Sequence, residues 1–285
     1  MEAIENLLKW IYRISFKSSW MTTIESIAFI SEPLSIAIQD TINGSVTEEE
    51  RLWIEEIESL RRELLKSSEL IEMVNYGGGK VDQIQNENNE KEGLIVRNSI
   101  GNVCKASSKS PFWALMLFKL IRNFKPEMCI ELGTNLGISA SYQAAALKLN
   151  GSGRLVTLEG DQTLASLAKM HLDFLQIDNC EVVTGRFQDT LEDVILQNQP
   201  IDYAFIDGHH QEKATLNYFD QISKYVSESG VLVFDDITWT DGMKRAWKAI
   251  ESDNRVGLTV NLRKIGICVF NPGITERKNF KLMLG

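Results

Sequence analysis

Cysteine is scarce and scattered in this chain. Cys104, Cys129, Cys180 and Cys268 show none of the short spacings that chelate zinc or build a redox pair. Three of them sit in or beside apolar runs (MCIEL, NCEVV and GICVF), where cysteine behaves as a small hydrophobe, so free and mostly buried thiols are expected. Positive charge is short as well: 30 Lys and Arg against 39 Asp and Glu leave a net charge of −9. That balance works against attraction to phosphate backbones, which needs clustered cations, and nucleic acid is not expected as a partner. The opening MEAIENLLKWIYRISFKSSW holds no long hydrophobic run, because acidic residues precede its apolar part and Lys9, Arg13 and Lys17 interrupt it. Neither a signal peptide nor a membrane span fits, so a cytoplasmic location without a membrane partner is expected. Internal repeats are absent too.

What is present is the composition of a folded chain: 285 residues, 44% of them hydrophobic, with a mean hydropathy of −0.14. This suffices for one large α/β domain and an attachment. Residues 1–75 read as a helical region, with apolar residues at three and four spacings in Ile4, Leu7, Leu8 and Ile11, and again in Leu52, Ile57, Leu60, Leu64 and Leu65. Thr47 followed by Glu50 is a capping-box signature. Residues 76–110 read as a loop or lid, since Gly77, Gly78 and Gly79 lead into a polar run that cannot bury a core. A helix is predicted after Ser110 as N-cap and Pro111 at the first helical position.

From 111 to 285 the pattern alternates. Apolar runs at MCIEL, RLVTLE, CEVVTG, IDYAFID and GVLVFDD are each followed by a helix-like segment, which predicts a parallel sheet covered on both faces. VGLTVNL and KIGICVFNP then close one edge as an antiparallel hairpin. The expected fold is α/β: a doubly wound, seven-stranded, mainly parallel sheet with an N-terminal helical extension. That extension is apolar enough to offer a homodimer interface.

In such sheets the ligand sits beyond the carboxyl ends of the strands. The first strand end reads Glu131-Leu-Gly133-Thr-Asn135-Leu-Gly137-Ile-Ser139. Gly133 and Gly137 would let the backbone approach a ligand, and the following helix offers its free N–H groups. Glu159 ends the second strand, 26 residues beyond Gly133, where an acidic side chain accepts hydrogen bonds from ribose hydroxyls. The third end brings Phe187, which could lie against a purine, and Gln188, which could read its edge. Asp207, His209 and His210 follow the fourth, Asp235 and Asp236 the fifth. Three carboxylates at adjacent strand ends repel unless a cation or proton relieves them, and hard oxygen ligands suit Mg²⁺, Mn²⁺ or Ca²⁺.

In order and spacing, ELGTNLGIS, Glu159, GRFQD, FIDGHH and VFDDI resemble class I S-adenosylmethionine-dependent methyltransferases, most of all the catechol and caffeoyl-coenzyme A O-methyltransferase group, over residues 125–270. The resemblance implies a Rossmann-like fold and O-methylation of a small-molecule hydroxyl, with S-adenosylmethionine as cofactor. Gly133, Asn135 and Ser139 would hold its methionine end, Glu159 its ribose and Gln188 its adenine, with Glu131, Gly137, Phe187 and Asp207 also counted as cofactor-binding. Asp207, Asp235 and Asp236 align with the group's metal ligands, although the last is normally Asn. His210 stands where the group commonly carries a lysine that assists deprotonation, so it is the candidate base, with His209 as alternate beside Asp207. Trp239 and Met243 are candidates to face the acceptor.

Three other readings compete. A nicotinamide-dependent oxidoreductase would use the same turn, but the first glycine of its fingerprint is lacking. A metal-dependent hydrolase would be built on Asp207, His209, His210, Asp235 and Asp236. A non-catalytic cofactor-binding protein would dock a partner through its helical extension. Enzymes of this fold that methylate nucleic-acid amines carry an Asn/Asp-Pro-Pro-aromatic turn where this chain has Asp-Gly-His-His, which favours a small molecule.

Overall fold

The computed structural model describes residues 20–76, 93–270 and 276–284. The amphipathic pattern read at residues 4–11 and the Gly77–Gly79 start of the loop or lid segment lie outside them.

Residues 20–28 are helical, and two further helices follow them before the first strand. α1 (Glu32–Asn43) carries Pro33 in its first turn and ends on left-handed Gly44. α2 (Glu48–Lys66) starts at the predicted capping box, in which Thr47 accepts from the Glu50 amide and Glu50 reaches back to the Thr47 amide. Their apolar faces are spent on the chain's own core, since Leu34, Ala37, Ile38, Ile57, Leu60 and Leu64 join the layer of α4 (Pro111–Phe124). Charge crosses the same seam: Glu50, almost fully buried, accepts from Lys119 at 2.7 Å and from Arg122 at 3.0 Å on α4. Breaking a buried pair strands its partner, so this contact fixes how α2 sits on the domain.

Next comes an element that helical periodicity did not indicate. β1 (Leu70–Asn75) and β2 (Leu94–Ser99) pair antiparallel as a separate two-stranded sheet, and α3 (Ile100–Ser107) follows, N-capped by Ser99.

The main sheet has eight strands in the order β10-β8-β9-β7-β6-β3-β4-β5. These are β3 (Met128–Leu132), β4 (Arg154–Glu159), β5 (Cys180–Thr184), β6 (Ile201–Ile206), β7 (Val226–Phe234), β8 (Leu258–Arg263), β9 (Gly266–Val269) and β10 (Lys278–Leu284). The predicted parallel strands and the β8–β9 antiparallel hairpin are all present. The eighth strand, β10, adds itself parallel to β8 at the edge; its lysines and half-exposed pattern had left it unread.

Alternation along the strands divides the core into two layers. On β3, Cys129 faces one layer while Met128, Ile130 and Leu132 face the other. The first is covered by α1, α2, α4, α5 (Ile138–Asn150) and α6 (Gln162–Phe174). The second is covered by α7 (Phe187–Asn198), α8 (Glu212–Ser223) and α9 (Asp241–Glu251). The chain runs outward from β3 through β4 to β5, then returns to the other side of β3 for β6 and β7. This reversal beside β3 is the switch point at which ligands bind in open α/β sheets. No described helix is long and apolar enough to cross a membrane.

Candidate active site

A cavity of about 760 Å³ opens at that switch point, within the range of small-molecule sites. Its floor is backbone. Gly133 has φ 102° and lies so close to β6 that a Cβ would stand 2.2 Å from the Asp207 carbonyl oxygen. Asn135 and Gly137 are also left-handed, at φ 49° and 81°, which turns the chain sharply from β3 into α5. Gly137 is the N-cap of α5 and no side chain caps it, so the first N–H groups of that helix are free for a ligand.

Glu159 closes the next side, its carboxylate accepting from the amides of Asn135 at 2.7 Å and Asp161 at 3.0 Å. Burial raises its pKa against the pull of those amides. Phe187 stands opposite at the start of α7, edge-on to His209 and Tyr218 with ring centroids 5.8 Å and 5.9 Å away. Gly208 leaves room for that ring: a Cβ there would meet Phe187 at 2.5 Å. The β1–β2 hairpin supplies Met73, Val74, Asn75, Tyr76, Val96 and Asn98 as a further wall, and no sequence expectation had included them. A six-residue run of Leu, Ile, Val, Arg, Asn and Ser before α3 was the available signal, because β-branched residues suit a half-buried strand.

Two expected cofactor residues lie elsewhere. Glu131 is fully buried and away from the cavity lining, held by Gln143 at 2.6 Å and by Thr157 at 2.6 Å. It faces inward because strand alternation turns it towards α5 while its neighbours face the opposite layer. Gln188 is exposed on the outer side of α7, since the helix starts at Phe187 and only that first side chain points into the cavity. Gly133, Asn135, Ser139, Glu159, Phe187 and Asp207 do line it together. Gly137 sits immediately behind, packed within 3.4 Å of Ala168 wherever a Cβ would project.

The acidic end of the cavity differs from the three-carboxylate arrangement. The ligand atoms that converge belong to Asp207, His210 and Asp235, all within 4.8 Å of one another. Asp236 lines the same cavity but is not part of that set; it is left-handed, φ 50°, with Oδ1 3.8 Å from Lys264. Among the carboxylates stands a cation that sequence spacing did not reveal. The Lys109 Nζ is 2.9 Å from Asp207 Oδ2 and in direct contact with Asp235 Oδ2. A lone lysine among serines before α4 carries no periodic signal; only the fold shows where it points. His210 Nε2 faces Asp207 Oδ1 at 3.5 Å, and its ring meets Trp239 edge-on at 5.3 Å. His209 is engaged otherwise, its Nδ1 2.7 Å from the Tyr218 hydroxyl.

Burial lowers the pKa of His210, so the ring is neutral at pH 7. Asp207 is pushed up to about 7, first by burial and further by Asp235, against Lys109. Trp239 reaches the cavity, whereas Met243 is buried on α9, where its Sδ accepts from Thr215 at 3.3 Å. It belongs to the core between α8 and α9 and cannot face an acceptor.

Residues 130–237 match the family model of a methyltransferase domain, and these span β3 to the turn after β7. The chain carries a methyltransferase domain. Solved structures of the same fold include the O-methyltransferase TomG of Streptomyces achromogenes, involved in tomaymycin synthesis and solved with S-adenosylmethionine. It is 22% identical, the match covering 57% of this chain and 82% of that one with a TM-score of 0.50. Another is the S-adenosylhomocysteine-bound methyltransferase PaMTH1 of Podospora anserina, at 15% identity, covering 57% and 80% with a TM-score of 0.50. At these identities the likeness is one of fold. No protein of curated function matches the chain in sequence. The matched segment of the methyltransferase domain holds Gly133, Glu159, Asp207, His210 and Asp235, while Lys109 and the hairpin lie before it.

Proposed function

We propose that this methyltransferase uses S-adenosylmethionine to methylate a hydroxyl of a small-molecule acceptor. The observation that carries the reading is the convergence of the Gly133–Ser139 turn, Glu159, Phe187 and Asp207 on one cavity at the switch point. Gly133, Asn135, Ser139 and the open N-terminus of α5 would hold the amino-acid end. Glu159 would accept from the ribose hydroxyls, and Phe187 would lie against the base. The donors and acceptors suit an adenosyl amino acid: free N–H groups for a carboxylate, a carboxylate for a diol, and an aromatic face for a purine.

Bound there, S-adenosylmethionine supplies a methyl group on a sulfonium, whose S–C bond breaks with both electrons on sulfur as the new O–C bond forms. The protein's share is orientation, proton removal and exclusion of water. With Nε2 of His210 turned to Asp207, its Nδ1 is left to accept the hydroxyl proton, and burial keeps the ring neutral and ready to do so. Trp239 would cover the acceptor end beside His210, and the β1–β2 hairpin the end that carries Glu159. His209 braces the wall through Tyr218.

Isothermal calorimetry with S-adenosylhomocysteine, beside NAD as control, tests the reading. A saturable heat with the first alone is expected. Heat with NAD, or none with S-adenosylhomocysteine, would overturn it.

A further inference from the structure

The family resemblance puts a divalent ion at the acidic end of the cavity, and the side chains there do not fit one. Lys109 already holds the position. Its ammonium lies 2.9 Å from Asp207 and touches Asp235, and the residue is only 8% exposed. The two carboxylates beside it offset the cost of burying its charge.

This is no surface lysine folded inward. The segment between α3 and α4 is fixed from behind, because the Lys109 carbonyl accepts from Arg61 at 2.7 Å. Arg61 in turn is held by Glu58 at 2.8 Å, which accepts from the Tyr142 hydroxyl at 2.7 Å. The Nζ also lies 5.9 Å from the centre of the Phe205 ring on β6, a favourable place for a cation. Asp235 Oδ1 is buried and has no hydrogen-bond partner, and Asp207 Oδ1 has His210 Nε2 at 3.5 Å. A magnesium ion wants six oxygens in near-octahedral order and would meet the ammonium head-on.

Resting on the methyltransferase reading above, we propose that Lys109 is the resident cation of this site: its ammonium stands where a divalent ion would, excludes that ion, and balances the charge that develops on the acceptor oxygen. The reaction at this site then needs no divalent metal.

Manganese titration followed by electron paramagnetic resonance tests this without knowledge of the acceptor. Wild-type protein, stripped with EDTA, is expected to leave added Mn²⁺ free in solution. Lys109→Met removes the competing charge while keeping the three ligands, and should gain a Mn²⁺ site on the order of a hundredfold tighter or more. Lys109→Arg, which keeps the charge, should stay metal-free. Uptake of one equivalent by wild type that Asp235→Asn abolishes would overturn the proposal, as would a folded Lys109→Met that binds no Mn²⁺. Should Lys109→Met fail to fold, wild type and Lys109→Arg decide: both metal-free supports the assignment, and uptake by either overturns it. Calorimetry of the EDTA-treated wild type with S-adenosylhomocysteine reads the cofactor assignment separately, so the two readings fail by different signals.

Discussion

The carboxylate of Asp161 accepts the backbone N–H of Val74 at 2.7 Å while it caps α6 by accepting from Leu164 at 2.8 Å. One side chain thereby fastens the β1–β2 hairpin to the strand end that carries Glu159. Asp161→Ala should lose the cap and the tether together, about 1–2 kcal/mol of stability. It should also weaken S-adenosylhomocysteine binding, because Tyr76 packs over Gly160 through the same hairpin, where a Cβ would stand 2.9 Å from its ring. Hydrogen exchange checks the tether directly. Unchanged protection of the Val74 amide in the variant would show that the hairpin is held by something else.

Gly133→Ala is expected to be far more damaging than its one methyl suggests. Its φ of 102° is strained for any L side chain, and the added Cβ would meet backbone that cannot rotate away, the Asp207 carbonyl at 2.2 Å. Pushing β6 from β3 would move Asp207 and the cavity floor together. A loss of more than about 2 kcal/mol is expected, with S-adenosylhomocysteine binding abolished in whatever folds. Chemical denaturation and calorimetry measure both, and near-wild-type values would refute the close approach.

The alternation of strands and helices was legible because both signals are local: MCIEL and RLVTLE are continuous apolar runs, and two-faced burial requires such runs in a parallel sheet. Strand-end chemistry was legible for the same reason, since topology alone delivers Gly133, Glu159 and Asp207 to one edge. What escaped depends on direction rather than spacing. Glu131 belongs to the ELG motif, yet strand alternation points it into the core beside Gln143. Gln188 follows Phe187 by one residue, and on a helix that step carries it to the outside. Lys109 has no pattern around it; Arg61 and Asp235, which fix it, lie 48 and 126 residues away. Nor did the short hairpin register, since its strands pair only with each other and bury one side chain, Ile71, on β1.

Of the two adjacent histidines, only His210 faces Asp207, whereas His209 is committed to Tyr218. His210→Gln should therefore lower methyl transfer by ~10²–10⁴-fold, the usual contribution of a general base, with S-adenosylhomocysteine affinity little changed. Tyr218→Phe should release His209 and leave the rate nearly intact. Transfer of labelled methyl groups to a panel of hydroxylated aromatic acceptors separates the variants. A larger defect in Tyr218→Phe than in His210→Gln would move the base to His209.

Glu131 sets a pH dependence of stability. Burial pushes its pKa up to about 7 from an ordinary 4.5, despite hydrogen bonds from Thr157, Ser139 and Gln143 that favour the charged form. The folded state thus binds the proton more tightly than the unfolded chain. Its stabilising contribution is complete below about pH 4.5, fades as the pH rises, and is gone above about pH 7, a difference of about 3 kcal/mol. Glu131→Gln is neutral throughout and can keep the contacts, since the Thr157 hydroxyl, 2.6 Å from that of Thr134, can accept from the new amide and donate onward. Urea denaturation of both proteins from pH 5 to 8 isolates the effect. Wild type should lose stability relative to Glu131→Gln across this window, and parallel curves would mean that Glu131 is ionised in the folded protein at all these pH values.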